Sequence, residues 1–411
     1  FPYREDWKDA VRLTWTTTWP TTGEVVIEGD GQSITLPFNT LAQLHKIDWE
    51  DFKLGASYKW TIKTKTPEGK SLVEGPYEFI AALPPEPASV IGVKEISLPV
   101  SNTSDIDLIN WPTETGVPFA QGELGSGSKV QILGEDGEEV LAQTTVLSRW
   151  PDNSVRWLLV EFMANVPGGK IREFKLRYGE DVTPSQAPAD LVAQTDYGFE
   201  INTGPMKLII DPNNVKLPGD IWVNPTADGT FTGAHRVMTG GEAILEMPDG
   251  TKYSSIGRAE VARIQSEGPI RATIYLQGHH RNSSGQMFLY EARLHAFRGS
   301  SLLWLEYTFG NDAPGNFTTV KSLGLQIPFD KSVDSVAFRG DKVTHNVSSL
   351  TGSAIISQML DTDYEVTSDG KRLAGGRRAT GWSELSLGGL TTTIAPQYFW
   401  QNYPKQIEVT K

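Results

Sequence analysis

Gly278-His279-His280-Arg281, followed by Tyr290, Arg293 and His295, gathers residue types for general acid–base work. Histidine or tyrosine can take a proton, and arginine can hold an anionic group beside it. A positioned base contributes about 10²–10⁴-fold, and stabilising the developing charge contributes more. The candidate catalytic residues are therefore His280, Arg281, Tyr290, Arg293 and His295, with His279 as a substrate contact. Strand periodicity sorts the segment after Phe288. Tyr290, Ala292, Leu294 and Ala296 share one face, and Glu291, Arg293, His295 and Phe297 share the other. The competing reading is a solvated charged face with Glu306 as cross-strand partner, since such pairs are common in sheets. Adjacent histidines alternate faces, so His279 and His280 do not ligate one metal on a regular strand. Neither a metal nor a cofactor is expected.

Other residues enter as binding candidates. Trp150 and Trp157 flank the turn Pro151-Asp152-Asn153-Ser154; exposed indoles stack on sugar rings, but buried ones are commoner. Trp157 is read as a core residue, while Trp150 stands between core and substrate contact. Arg377-Arg378, after Gly375-Gly376, has the donors to clamp a carboxylate, or forms a flexible basic loop. Asp211-Pro212-Asn213-Asn214 and Asp361-Thr362-Asp363-Tyr364 are oxygen-rich, yet neither fits a calcium loop, and both read as turns. Asn-x-Ser/Thr sites occur at Asn102, Asn282, Asn316 and Asn346, a number near chance in so Ser/Thr-rich a chain.

The elements that must position these residues are strands. The 411 residues hold 40 glycines and 25 prolines, which suits short strands joined by turns. With no cysteine there is no disulfide, thiolate metal site or cysteine nucleophile. A net charge of −13 leaves no basic surplus for nucleic acid or an anionic membrane. No apolar run reaches the ~20 residues of a membrane-spanning helix, and Phe1-Pro2-Tyr3-Arg4 is not a signal peptide.

The expected fold is all-β: a fibronectin type III-like sandwich over 1–83, a small β-barrel over 88–181 and a large two-sheet β-sandwich over 190–411. Leu83-Pro84-Pro85-Glu86-Pro87 and Asp181–Pro188 read as linkers. Leu41–Phe52 is the best candidate for a helix. The Leu54-Gly55-Ala56-Ser57-Tyr58-Lys59-Trp60 run resembles the sixth strand of fibronectin type III domains, which makes Tyr58 the match to their tyrosine corner. Phe288–Phe297 is expected to pair with Ser301–Phe309 across Arg298-Gly299-Ser300.

Three further stretches carry a resemblance: Val117-Pro118-Phe119-Ala120-Gln121-Gly122, Val140–Thr144, and the hairpin Arg149-Trp150-Pro151-Asp152-Asn153-Ser154-Val155-Arg156-Trp157-Leu158. Together they resemble the N-terminal barrel of the exo-rhamnogalacturonan lyase and YetA-like family. Asn153 stands where that family usually has Gly, and Arg156 where Lys is common. Gly278-His279-His280, Tyr290–Ser300, Trp304–Phe309 and Tyr398–Lys405 resemble its central sandwich. The resemblance implies a polysaccharide lyase scaffold that continues into a helical toroid, which this chain does not include. The leading expectation is thus a secreted, extracellular or periplasmic carbohydrate-binding protein resembling the front half of such a lyase. Two alternatives stand beside it. One is an active uronate lyase whose site is completed by the sandwich or by a further domain; the other is a structural or fibre-forming module that self-assembles through β-edges. The expected partner is a polysaccharide or glycan, with no nucleic acid and no membrane insertion.

Overall fold

The computed structural model describes residues 11–53, 55–81, 87–312 and 317–411. Phe1–Arg4, Leu54, Leu83–Glu86 of the first linker and Asn316 lie outside them. Every regular element described is a strand apart from two 3₁₀ turns, so the all-β expectation holds.

Strands β1 (Val11–Gly29), β2 (Gln32–Trp49), β3 (Ser57–Lys65) and β4 (Ser71–Ile80) form one antiparallel sheet in the order β2-β1-β3-β4. Register breaks between Thr16 and Gly23 bend the β1–β2 hairpin over itself. Trp15 thereby meets Phe38 and Trp60, with ring centroids 5.0 and 6.0 Å away. Leu41–Phe52 is not a helix: β2 runs through it to Trp49, and His45, Ile47 and Trp49 turn inward at the strand period. Pairing with β1 decides an apolar pattern that the sequence leaves ambiguous. Tyr58 is buried against Trp49 and Phe79, and its hydroxyl accepts the Lys53 N–H at 2.8 Å.

The next unit has two sheets around one hydrophobic cluster. The first holds β5 (Lys94–Ser101), β7 (Val130–Leu133), β8 (Glu139–Val140) and β11 (Ile171–Tyr178); the second holds β6 (Leu108–Pro118), β9 (Ala142–Arg149) and β10 (Val155–Val166). No ladder joins the sheets among the described residues, so the barrel expected here is open. The β9–β10 turn forms as its sequence dictates. Asn153 has φ 66°, and the Asp152 carboxylate accepts the Ser154 N–H and hydroxyl at 3.0 and 2.6 Å. Trp157 corrects an expectation. Leu158, Val160, Phe162, Ala164 and Val166 fill the core, so the strand period turns Trp157 outward, where it is 41% exposed.

The central unit is one continuous eleven-stranded sheet: β12 (Val192–Thr195), β13 (Gly198–Asn202), β14 (Met206–Ile210), β15 (Leu217–Val223), β16 (Arg236–Glu246), β17 (Lys252–Ser254), β18 (Val261–Ser266), β19 (Arg271–Asn282), β20 (Gly285–Phe297), β21 (Leu303–Gly310) and β22 (Ser322–Gln326). Strand β16 belongs to both halves. Its first part pairs with β15, and its second with β17 and β22. The change occurs at Gly240-Gly241, where Gly240 has φ 69° and a Cβ on Gly241 would lie 1.8 Å from the Gln326 carbonyl oxygen. Leu208, Leu217 and Ile221 from one half and Ile274, Ala292 and Leu294 from the other share a single core, so the sheet closes on itself as a sandwich.

Residues 333–409 gather a separate cluster inside the stretch expected as one unit. It lies between the sheets β24-β23-β28-β29 and β27-β26-β25-β30, built from β23 (Ser335–Arg339), β24 (Thr344–Val347), β25 (Ser353–Leu360), β26 (Asp363–Ser368), β27 (Lys371–Gly376), β28 (Ser383–Leu387), β29 (Leu390–Ile394) and β30 (Lys405–Thr410).

Candidate functional site

The candidate residues lie on β19, β20 and β21, whose pairing fixes their faces. Antiparallel register sets Thr273 opposite His295 and Tyr275 opposite Arg293, and on the next strand His295 opposite Trp304 and Arg293 opposite Glu306. The alternation read from the sequence therefore separates the candidates. Arg293 and His295 share the outer face, while His280 and Tyr290 point into the sandwich.

On the inner face His280 has no exposed surface. A bulge at Phe288, with φ 54°, breaks the register between His279 and His280. The Nδ1–H of His280 donates to the Phe288 carbonyl at 2.8 Å, so Nε2 accepts the Tyr307 hydroxyl at 2.6 Å. Burial lowers the His280 pKa, raises that of Tyr290 to about 12 and raises that of Tyr307. A neutral imidazole bonded on both sides, beside phenols held in their protonated form, is a satisfied polar core with no free base.

At the end of β19, His279 lies between two carboxylates: Glu260 Oε1 is 2.8 Å from Nδ1, and Asp312 Oδ2 is 2.6 Å from Nε2. Both nitrogens must donate, which requires the imidazolium. Burial opposes that charge, but the bonds to Glu260 and Asp312 outweigh it and raise the His279 pKa. Arg281 joins the cluster, donating to Glu260 at 2.7 Å and to the Arg258 carbonyl at 3.0 Å.

The outer face is a different surface. The Tyr275 ring lies between two guanidiniums, Arg263 and Arg293, each 4.9 Å from its centroid. Arg293 Nε donates to Gln265 at 3.0 Å, and the Tyr275 hydroxyl donates to Gln277 at 3.2 Å. Burial raises the Tyr275 pKa, with Glu291 adding to it. Trp304 stands beside this row, 47% exposed, with its ring 6.1 Å from that of His295. The Nδ1 of His295 accepts from Thr273 Oγ1 at 2.9 Å and Arg271 Nη1 at 3.2 Å. A guanidinium only donates, so the ring proton sits on Nε2, 3.9 Å from Glu306. His295 lowers the Glu306 pKa.

Arg271 ties this face to the preceding unit. Its Nε is 2.5 Å from Glu161 Oε1 of β10, and both side chains are buried. Beside them Gln143 of β9 accepts the Ile270 and Arg271 N–H groups at 3.0 and 2.9 Å and donates to Ser266 Oγ at 3.3 Å. Asn110 reaches the Arg298 and Gly299 carbonyls at 3.2 and 3.0 Å.

The remaining candidates lie elsewhere. Trp150 donates to the Phe119 carbonyl at 3.0 Å under the Arg156 guanidinium. Arg378 stacks on Trp400 at 4.1 Å and donates to the Asp361 carbonyl at 3.1 Å. Arg377 is exposed, and its carbonyl accepts from buried Gln358 at 3.2 Å. The Asn102 amide is buried on the Ile106 and Val166 carbonyls, so that sequon is closed in the folded chain. The sequence reading missed Arg263, Tyr275, Trp304 and Arg271. The alternation Arg271-Thr273-Tyr275-Gln277 was visible, but a pattern of polar residues looks alike whether it faces water or a second unit. Among the described residues no group of His, Asp and Glu has metal-binding geometry, and no helix is long and apolar enough to cross a membrane.

Comparison with known proteins agrees with this architecture. Residues 108–167 match the PcRGLX-like N-terminal RIFT barrel domain, and residues 191–337 match the PcRGLX-like protein central beta sandwich domain. A relative from Bacillus subtilis (strain 168), described as uncharacterized protein YetA, is 23% identical over 216 residues, which cover 51% of this chain and 24% of that protein. The chain thus spans about a quarter of that relative's length. The chain thus carries two PcRGLX-like domains: strands β6–β10 of the barrel lie in the first matched stretch and β12–β22 of the sandwich in the second.

Proposed function

We propose that the chain binds a uronate-bearing polysaccharide on the outer face of β18–β21, as a secreted carbohydrate-binding part of a lyase-like protein. The observation that carries this reading is the row Arg263–Tyr275–Arg293–Glu306 with exposed Trp304 beside it. An indole offers a flat apolar surface to a sugar ring, and arginine pairs with its carboxylate. Binding is favoured over β-elimination within these residues because the histidines and the tyrosine that could act as bases on β19 and β20 are engaged. His279 holds two carboxylates, His295 Nδ1 is taken by Arg271 and Thr273, and Tyr275 is buried with its phenol protonated.

Calorimetric titration with oligogalacturonate and rhamnogalacturonan fragments tests the proposal. Trp304→Ala and Arg293→Ala should each weaken binding about tenfold or more, the scale of one charge-assisted contact. Wild-type protein that ignores every uronate oligomer would sink it. Growth of the ultraviolet absorbance of an unsaturated uronate during the same titration would replace binding with catalysis.

A further inference from the structure

The last unit carries a second surface that the sandwich face does not account for. A depression of about 730 Å³ opens on the outer side of β25–β27, lined by Ser357, Met359, Asp363, Glu365, Arg372 and Arg377. Its size suits a small ligand. Pairing sets Glu365 of the middle strand opposite Gly375 and Ser357, so this long side chain stands between two small neighbours. Arg372 lies over Gly375, where a Cβ would come within 2.5 Å of its Nη2, and its Nε is 3.0 Å from Glu365 Oε1.

Three features select the ligand. The charged lining balances, two carboxylates against two guanidiniums, so an ionic ligand gains no net attraction. The Arg372–Glu365 pair is solvent-open, and its remaining guanidinium N–H groups and carboxylate oxygen lie side by side as donors and acceptors. Vicinal hydroxyls, each donor and acceptor at once, match such a pair. Exposed Met359 supplies an apolar wall. The wall that holds Arg377 is also rigid: buried Gln358 donates to the Arg377 carbonyl and accepts the Ala379 N–H at 2.9 Å. We propose that this depression is a binding site for a neutral sugar unit, recognised through vicinal hydroxyls by the Arg372–Glu365 pair. The site is independent of the uronate-binding face.

The test uses the full chain with the methionine methyls carbon-13 labelled and the Trp304 indole observed in parallel by NMR. Cellotetraose, maltotetraose and galactotetraose are the neutral probes, and digalacturonate is the charged one. A neutral probe should shift the Met359 methyl saturably at millimolar concentration, and Arg372→Ala and Glu365→Ala should each weaken that response about tenfold. An unmoved Met359 methyl with all three neutral probes overturns the proposal. So does a response to digalacturonate alone, or one that survives both substitutions. A Trp304 response to digalacturonate with Met359 silent removes this site and leaves the sandwich reading intact. Met359 responding while Trp304 stays silent does the reverse.

Discussion

His279 and His280 are neighbours in sequence with opposite titration behaviour. His279 is held as imidazolium by Glu260 and Asp312, so its folded pKa lies above the ordinary 6.5. Its contribution to stability is full below that value and is lost as pH rises through the folded pKa. His280 is buried neutral, so its pKa is lowered; the folded state loses stability relative to the unfolded chain as pH falls from the unfolded pKa toward the folded one. Asp312, lowered in turn, contributes above the ordinary carboxylate pKa and loses that contribution in acid. His279→Gln should therefore lower the melting temperature more at pH ~6 than at pH ~9. Melting curves with equal losses at both pH values would contradict the imidazolium assignment. Tyr307→Phe tests the inner pair. It leaves the buried Nε2 of His280 without its donor and should cost about 1–3 kcal/mol in urea unfolding, with uronate affinity on the outer face unchanged.

At the scale of the element, the bend in β16 decides whether the sheet is an open layer or a sandwich. Gly241 passes so close to the Gln326 carbonyl that a methyl group must displace backbone. Gly241→Ala should destabilise the chain by about 1–3 kcal/mol, the cost of overpacking; chemical denaturation with an unchanged midpoint would show that the bend does not depend on this approach. The same scale shows what the sequence disclosed. The β9–β10 hairpin was legible because Pro151, Asp152 and Asn153 impose a turn through their own geometry. The faces of β20 were legible because Tyr290, Ala292 and Leu294 alternate with charged residues. The Leu41–Phe52 segment was not, since its apolar residues fit either period and only pairing with β1 settles it. Trp157 was misplaced because the preference of indoles for burial is weaker than the alternation set by Leu158–Val166. His280 was recognised as a chemical group, but its partner Tyr307 lies on another strand, so its burial depended on a pairing register that spacing alone does not fix.

Across the whole molecule, the barrel and the sandwich meet through groups that cannot be exposed singly without loss. Glu161 and Arg271 are both buried, and Gln143 occupies two backbone N–H groups at the start of β19, the strand that carries the outer-face row. Desolvating the ion pair costs several kcal/mol for each charge, and removing one partner leaves that cost with no return. The junction therefore couples the stability of the barrel to the geometry of the proposed glycan face, because Arg271 also donates to His295 beside Trp304. Glu161→Ala should cost about 3–5 kcal/mol. It should also divide the thermal unfolding of residues 88–337: the barrel, followed through Trp157, should melt below the sandwich, followed through Trp304. Uronate affinity should fall with it, although Glu161 lies on the barrel and outside the proposed contact row. Glu161→Gln keeps the shape and one acceptor while removing the charge, so it separates the ion pair from packing; coincident melting of both probes in the alanine variant would show that the two units are not coupled through Arg271.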